Sequence, residues 1–422
     1  MATASLAHIL GNRRIGIMLP LGFASGLPLA LTSGTLQAWL AVAGVDLKTI
    51  GIFTLVGLPY TLKFLWAPVM DRIVPPWLGR RRGWMLIAQI AVAIGLALMG
   101  LTGLGVRPEW LGAVAVAVAF MSASLDIVFD AYRTETLLAR ERGFGAAVWV
   151  NGYRLAMIVS AVLALIIAEK LGWPGTYLLM AGFMLIGVCA ILLGPEPVLD
   201  QHAPATLQEA FIGPLTEFFS RRAGLGLIVL VALYKIGDAF AGALQTAFLI
   251  RGVGFSAADV GYMKGVGIGL TLAGALAGGL GMTRLGLFRA LLIFGVFQAL
   301  SNLSFMLLAG AGKSYPLLIF AIASENLTGG MGTAAFVALV MALCHHKYTA
   351  TQFALLSSVE AIGRVLLGRP SADLVEWIGW AAYFFVTFLA ALPGLLLLWY
   401  LRSEIESAEA SHTTREAQAA LP

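Results

Sequence analysis

Residues 122–135 read S-A-S-L-D-I-V-F-D-A-Y-R-T-E and follow Leu111–Met121, a run with no charge. Asp126 and Asp130 are four apart and Arg133 three further on, so one helical face carries all three. A carboxylate inside an apolar helix is costly unless it is paired or protonated, and marks a functional site with a partner nearby. The chemistry available to it is proton loading on one side of a barrier and release on the other as access changes. Asp238, Glu325 and Glu360 carry the same possibility in later apolar segments. Lys63, Arg154, Lys235 and Arg364 are the matching bases, suited to holding a substrate carboxylate in a low-dielectric cavity. Counting about 1.5 Å per residue from each helix entry puts Asp126 level with Lys63 and Arg154, roughly 10 Å below one surface. Lys235, Asp238, Glu325 and Arg364 fall nearer the middle.

Each of these ions has a plainer reading as a permanent structural pair. Lys235 and Asp238 are three apart, and Glu360 lies one turn before Arg364. Asp130, Arg133 and Glu135 descend from Asp126 toward the surface and read as a cytoplasmic gate. They are expected to work with Asp71 and Arg72 in the loop D-R-I-V-P-P-W-L-G-R-R-R. The acid-then-basic character of that loop resembles the cytoplasmic latch of major facilitator proteins, and Arg80–Arg82 in it also serve topology. Gln37, Trp39 and Gln245 suit a sugar: amides bond hydroxyls, and an aromatic face stacks on a pyranose ring. Trp39 equally suits the aromatic belt at a membrane surface. Pro28 removes a backbone donor and is expected to kink the first helix. No H-E-x-x-H, G-x-S-x-G or GxxxxGK[ST] occurs, which argues against an enzyme, a metal centre or ATP-driven work within the chain. Cys189 and Cys344 lie in separate apolar segments and read as packing residues. No cofactor is expected; the driving force would be the proton gradient.

The elements that must position these residues follow from composition. Of 422 residues 59% are hydrophobic and 12% charged, against about 25% charged in soluble domains. The apolar segments run near the length that crosses a bilayer. They fall at roughly 15–42, 50–70, 84–104, 110–136, 145–168, 176–194, 223–249, 258–281, 287–309, 315–343, 352–369 and 381–401. This predicts an all-α membrane protein of twelve transmembrane helices. The basic isoelectric point, near 9.3, comes from loop arginines rather than a nucleic-acid surface. Arg80–Arg82, Arg140, Arg142, Arg221 and Arg222 fall on one side, and Lys48, Arg107, Lys170, Arg251 and Lys313 on the other. The bias places both termini in the cytoplasm.

Residues 195–222 interrupt the hydropathy, with P-E-P, D-Q-H-A-P and Arg221-Arg222. They divide the chain into a six-helix half over 1–194 and another over 223–402, followed by a cytoplasmic tail at 403–422. The halves share short matches in common order. S-G-T-L-Q at Ser33–Gln37 faces A-G-A-L-Q at Ala241–Gln245, and Gly172-Trp173 faces Gly379-Trp380. Two pseudo-symmetric six-helix halves in parallel repeat resemble the major facilitator architecture.

Longer stretches resemble one family within it, the AmpG muropeptide permeases. They include S-G-L-P-L-A-L-T-S-G-T-L-Q-A-W, K-F-L-W-A-P-V-M-D-R, D-I-V-F-D-A, Y-K-I-G-D-A-F, E-N-L-T-G-G-M-G-T-A-A-F and A-T-Q-F-A-L-L-S, spread from Leu19 to Leu398. The resemblance implies a proton-driven importer in the bacterial inner membrane. Its substrates would be N-acetylglucosaminyl-1,6-anhydro-N-acetylmuramyl peptides, serving cell-wall recycling and β-lactamase induction. Its partners would be that small-molecule substrate, protons and the bilayer, with no nucleic acid, and the chain would act as a monomer. The alternatives are a major facilitator carrier of another acyl, peptide or nucleotide conjugate, and a membrane-embedded sensor or enzyme.

Overall fold

The computed structural model describes residues 12–43, 56–102, 108–197, 204, 206–366 and 368–419. Every regular element among them is helical. The chain opens with α1 (Met18–Thr32), α2 (Gly34–Val42), α3 (Leu58–Leu62), α4 (Ala67–Arg72), α5 (Gly79–Thr102) and α6 (Pro108–Thr136). Next come α7 (Ala139–Ile158), α8 (Ala164–Leu193), α9 (Leu207–Ser220), α10 (Gly224–Tyr234), α11 (Ile236–Ala247) and α12 (Ala257–Leu285). It closes with α13 (Leu287–Ala311), α14 (Tyr315–Leu343), α15 (Thr349–Leu366), α16 (Gly368–Tyr400) and α17 (Arg402–Ala419). Among the described residues, 9 helices are long and apolar enough to cross a membrane. The expected segment at 50–70 lies partly outside the described residues, as does that at 352–369.

The chain packs as two units that are not contiguous in sequence. Unit 1 comprises Met1–Leu137, Val148–Leu215 and Cys344–Ala354; unit 2 comprises Leu138–Ala147, Thr216–Leu343 and Leu355–Pro422. In unit 1, α5 packs on α6 and α8, and α1 on the same two helices. In unit 2, α14 packs on α12 and α13, and α16 on α11 and α13.

Two breaks repeat between the units. α8 is interrupted at Gly172 (φ 68, ψ 167) and α16 at Gly379 (φ 76, ψ 170). These are the glycines of the paired G-W dipeptides, and both hold a backbone shape that a Cβ would strain. Each break is followed by a tyrosine that donates to a carbonyl of the unit's first helix pair. Tyr177 reaches Leu31 O at 2.7 Å, and Tyr383 reaches Phe240 O.

The first helix breaks later than Pro28 suggests. α1 continues through Pro28 and ends at Thr32, with Ser33 (φ −123, ψ −101) outside it. The proline costs only the donor it lacks, whereas at Ser33 the whole ladder shifts. Ser33 N bonds Ala30 O at 3.2 Å, and the Ser33 hydroxyl takes over Leu29 O at 2.6 Å. A π-turn at Val159–Leu163 likewise frees Ser160 O, which accepts from Thr35 Oγ1 at 2.6 Å.

In unit 2, α12 and α14 approach so closely that a Cβ at Gly274 would lie 2.1 Å from Leu327 O. Because the obstacle is backbone, Gly274→Val should cost at least the roughly 1–3 kcal/mol of ordinary overpacking. The expected result is a melting temperature several degrees lower in detergent. Gly265→Ala on the same helix, where a Cβ meets nothing within 4 Å, should leave it unchanged.

Candidate functional site

In unit 1, α6 carries Asp126, Asp130, Arg133 and Glu135 along its last three turns, and separate elements bring their partners. Ser25 of α1 donates its hydroxyl to Asp126 Oδ1 at 2.6 Å. Lys63 follows α3 in a 3-10 turn and donates to Asp130 Oδ2 at 3.3 Å. Arg133 donates to Asp130 Oδ1 at 2.8 Å, while its guanidinium lies 4.8 Å from the Trp149 ring and 5.2 Å from that of Phe353. Asp126 therefore has a neutral donor and Asp130 has two cations. Lys63, expected level with Asp126, reaches to Asp130 instead.

One turn further along, Arg81 joins two buried carboxylates. Its Nε donates to Glu135 Oε2 at 2.8 Å and its Nη2 to Asp71 Oδ1 at 2.9 Å. Arg81 and Asp71 side chains are fully buried. Arg80 Nη2 stands 3.6 Å from Glu135. Asp71 then caps the start of α15, accepting from Thr351 N at 2.9 Å, Thr351 Oγ1 at 2.7 Å and Ala350 N at 3.3 Å. The first N–H groups of a helix lack intrahelical acceptors and carry the positive end of its dipole, so a carboxylate is the acceptor they favour. Arg72, expected in the gate, sits half-buried in the last turn of α4; the pairing belongs to Arg81. Glu196, just past α8, accepts from Arg81 N at 3.2 Å and Arg82 N at 3.4 Å at the start of α5. Burial holds its carboxyl above the ordinary range, against the pull of those two donors.

Unit 2 holds a second set. Lys235 interrupts the helix between α10 and α11 (φ −101, ψ 4). Its Nζ donates to Asp238 Oδ2 at 3.2 Å and to Gln298 Oε1 of α13 at 3.4 Å. On α14, Glu325 Oε2 accepts from Gln245 Nε2 at 2.5 Å and from Asn326 Nδ2 at 3.4 Å. Asn326 in turn accepts from Thr271 Oγ1 at 2.9 Å. The carboxylate of α14 thus meets a neutral donor from α11 much as that of α6 meets one from α1.

Arg154 on α7 and Glu360 on α15 are half-buried. The side chains of Gln37 and Arg364 lie outside the described residues. Trp39 stacks on Trp173 with centroids 5.8 Å apart and lies 4.9 Å from the Tyr177 ring, so protein covers both of its faces at 3% exposure. Ser25, Arg81, Gln298 and Thr351 were not expected in the site. Neutral donors and acceptors leave no hydropathy signal, and Arg81 is masked by the arginines beside it.

Residues 18–368 match the family described as Major Facilitator Superfamily. The chain is 53% identical over 401 residues to the anhydromuropeptide permease of Escherichia coli K12, covering 94% of this chain and 82% of that one. It is 31% identical over 411 residues to the putative transporter AmpG 4 of Rickettsia felis, covering 95% and 99%. The chain belongs to the AmpG-type permeases of the Major Facilitator Superfamily. The family resemblance carried by the sequence motifs therefore holds. As an AmpG-type permease it shares the major facilitator fold with the crystal structure of the E. coli fucose:proton symporter, at a TM-score of 0.73 and 12% identity, covering 92% and 98% of the two chains. It is a multi-pass membrane transporter.

Proposed function

We propose that this permease imports anhydromuropeptides, GlcNAc-1,6-anhydroMurNAc and its peptides, by proton-coupled alternating access. The bacterial inner membrane would hold it as a monomer with both termini in the cytoplasm, serving wall recycling and β-lactamase induction. The likeness to a permease named for that substrate class carries the substrate reading. Coupling is carried by how the buried carboxylates are partnered. Asp126 and Glu325 accept from a hydroxyl and an amide, so protonating either orphans no cation. Asp71, Asp130 and Glu135 face lysine or arginine, where protonation would leave a buried positive charge exposed to full desolvation cost. Asp126 and Glu325 are accordingly the proton carriers in this reading. The arginine-bound set is the cytoplasmic gate, with Asp71 releasing α15 when it opens. Lys235, shared by Asp238 and Gln298, is the cation offered to a stem-peptide carboxylate, with Gln245 toward the sugars.

Uptake of labelled anhydromuropeptide into proteoliposomes, with and without an imposed proton gradient, tests this reading. Gradient-dependent accumulation is expected, and its absence would sink the proposal. A narrower test addresses Lys235. Hydrogen bonds to charged groups contribute about 1.5–3 kcal/mol, so Gln298→Leu should lower initial uptake at low substrate about tenfold or more. Gln298→Glu, which gives Lys235 a second carboxylate, should be at least as damaging. Wild-type uptake by both variants would remove Gln298 from the site.

A further inference from the structure

The mechanism leaves α9 unused, yet this 14-residue helix between the spans Ala164–Leu193 and Gly224–Gln245 exposes a row of large apolar side chains. Leu207, Phe211, Ile212, Leu215 and Phe219 are each between 42 and 55% exposed. Positions 211, 215, 219 and 212 fall within about 100° of one another on a helical wheel, the width of a stripe made for an apolar surface. The adjoining face of the same helix is already used: Ala210 and Phe218 are buried, as is Pro214. Three residues separate the end of α9 at Ser220 from the start of α10 at Gly224, and Gly224–Gln245 is apolar enough to span the membrane. That short connection keeps α9 at the bilayer surface where α10 enters. Arg222, two residues past the end of α9, is exposed, and Arg221, held by Glu217 at 2.8 Å and by Leu343 O at 2.7 Å, anchors the end of the helix.

The other flank of α9 grips the first turn of α15 and the residues just before it, all within unit 1. Lys347 Nζ pairs with Glu209 Oε1 at 2.5 Å, Tyr348 OH lies 3.4 Å from the same oxygen, and Gln352 Nε2 donates to Pro214 O at 3.1 Å. Those residues bracket Ala350 and Thr351, the donors that Asp71 accepts from.

We propose that α9 docks on the bilayer surface itself, its Phe211–Leu215–Phe219 stripe at the headgroup–acyl boundary, and that this docking holds residues 347–352 in place over Asp71. The partner is a lipid surface, favoured when it is anionic because Arg222 and the neighbouring arginine sit at headgroup level. A bilayer fits better than a protein partner because the helix is tethered on one side to a membrane span and presents a straight stripe rather than a pocket. Docking leaves the transport site untouched and acts through the cap of α15.

The full chain, with Cys189 and Cys344 replaced by alanine, is spin-labelled at Leu215→Cys or Ser220→Cys and placed in nanodiscs containing phosphatidylglycerol. The label at 215 is expected to relax with oxygen more than with a water-soluble nickel chelate, and the label at 220 the reverse. Equal nickel access at both positions would place the stripe in water, and protection of 215 from both reagents would mean a second copy or another protein covers it; either overturns the proposal. The link to the gate is read by hydrogen exchange at residues 349–352. Phe211→Glu/Leu215→Glu should speed it about tenfold or more in nanodiscs. Unchanged exchange in a folded variant would break the proposed link.

Discussion

Asp126→Asn is expected to abolish uphill accumulation while sparing substrate exchange. Asparagine keeps an oxygen for the Ser25 hydroxyl, so the 2.6 Å contact between α1 and α6 has a near-isosteric replacement. What is lost is the ability to gain and release a proton. Moving one charge through about 100 mV is worth about 2.3 kcal/mol, or about fiftyfold in accumulation ratio at about 1.4 kcal/mol per decade. The variant should therefore equilibrate substrate to a ratio near unity under a gradient that drives the native protein well above it. Counterflow of labelled against unlabelled substrate, which needs no net proton movement, should stay within severalfold of native. Equal loss in both assays would make Asp126 a structural or substrate-binding residue.

Asp126 was legible because a carboxylate in an apolar run carries a cost that composition alone exposes. Its partner was not. Ser25 sits in an unremarkable small-residue stretch, and a hydroxyl in a membrane helix pays little for being there. Gln298 and Asn326 escaped notice for the same reason. The paired glycines at 172 and 379 were legible as a repeat from a two-residue match, although their shared left-handed backbone was not. Pro28 drew attention to the wrong residue in the right helix, since the ladder shifts at Ser33, where a side-chain hydroxyl replaces the backbone donor.

Arg81→Met should be the most destabilising single change near the gate. It leaves Asp71 and Glu135 buried with one guanidinium gone, and breaking a buried ion pair by removing one partner costs about 3–5 kcal/mol. That is a large share of the roughly 5–15 kcal/mol that holds a folded protein together. The expected result is a sharply lowered melting temperature or failure to accumulate in the membrane fraction. Arg81→Met/Glu135→Gln should recover part of the loss, because the penalty lies in the orphaned carboxylate rather than in the missing pair. Arg82→Met, whose guanidinium bonds the Ile191 and Leu192 carbonyls instead, should be far milder. Identical melting for all three would remove Arg81 from the network. Charge counting hid this residue: three consecutive arginines are fully accounted for by topology, and only the fold separates the one that turns inward.

The cap that Asp71 places on α15 also sets a timetable. Thr351 is made 280 residues after Asp71, which at about 5–20 residues per second is a wait of about 15–55 s. Throughout that interval the carboxylate has Arg81 but lacks the N–H donors that finish its shell, and unit 1 lacks residues 344–354 altogether. During synthesis, the amino-terminal helices must therefore persist as an unfinished assembly, and the segment that completes them is made only after residues 216–343 of unit 2.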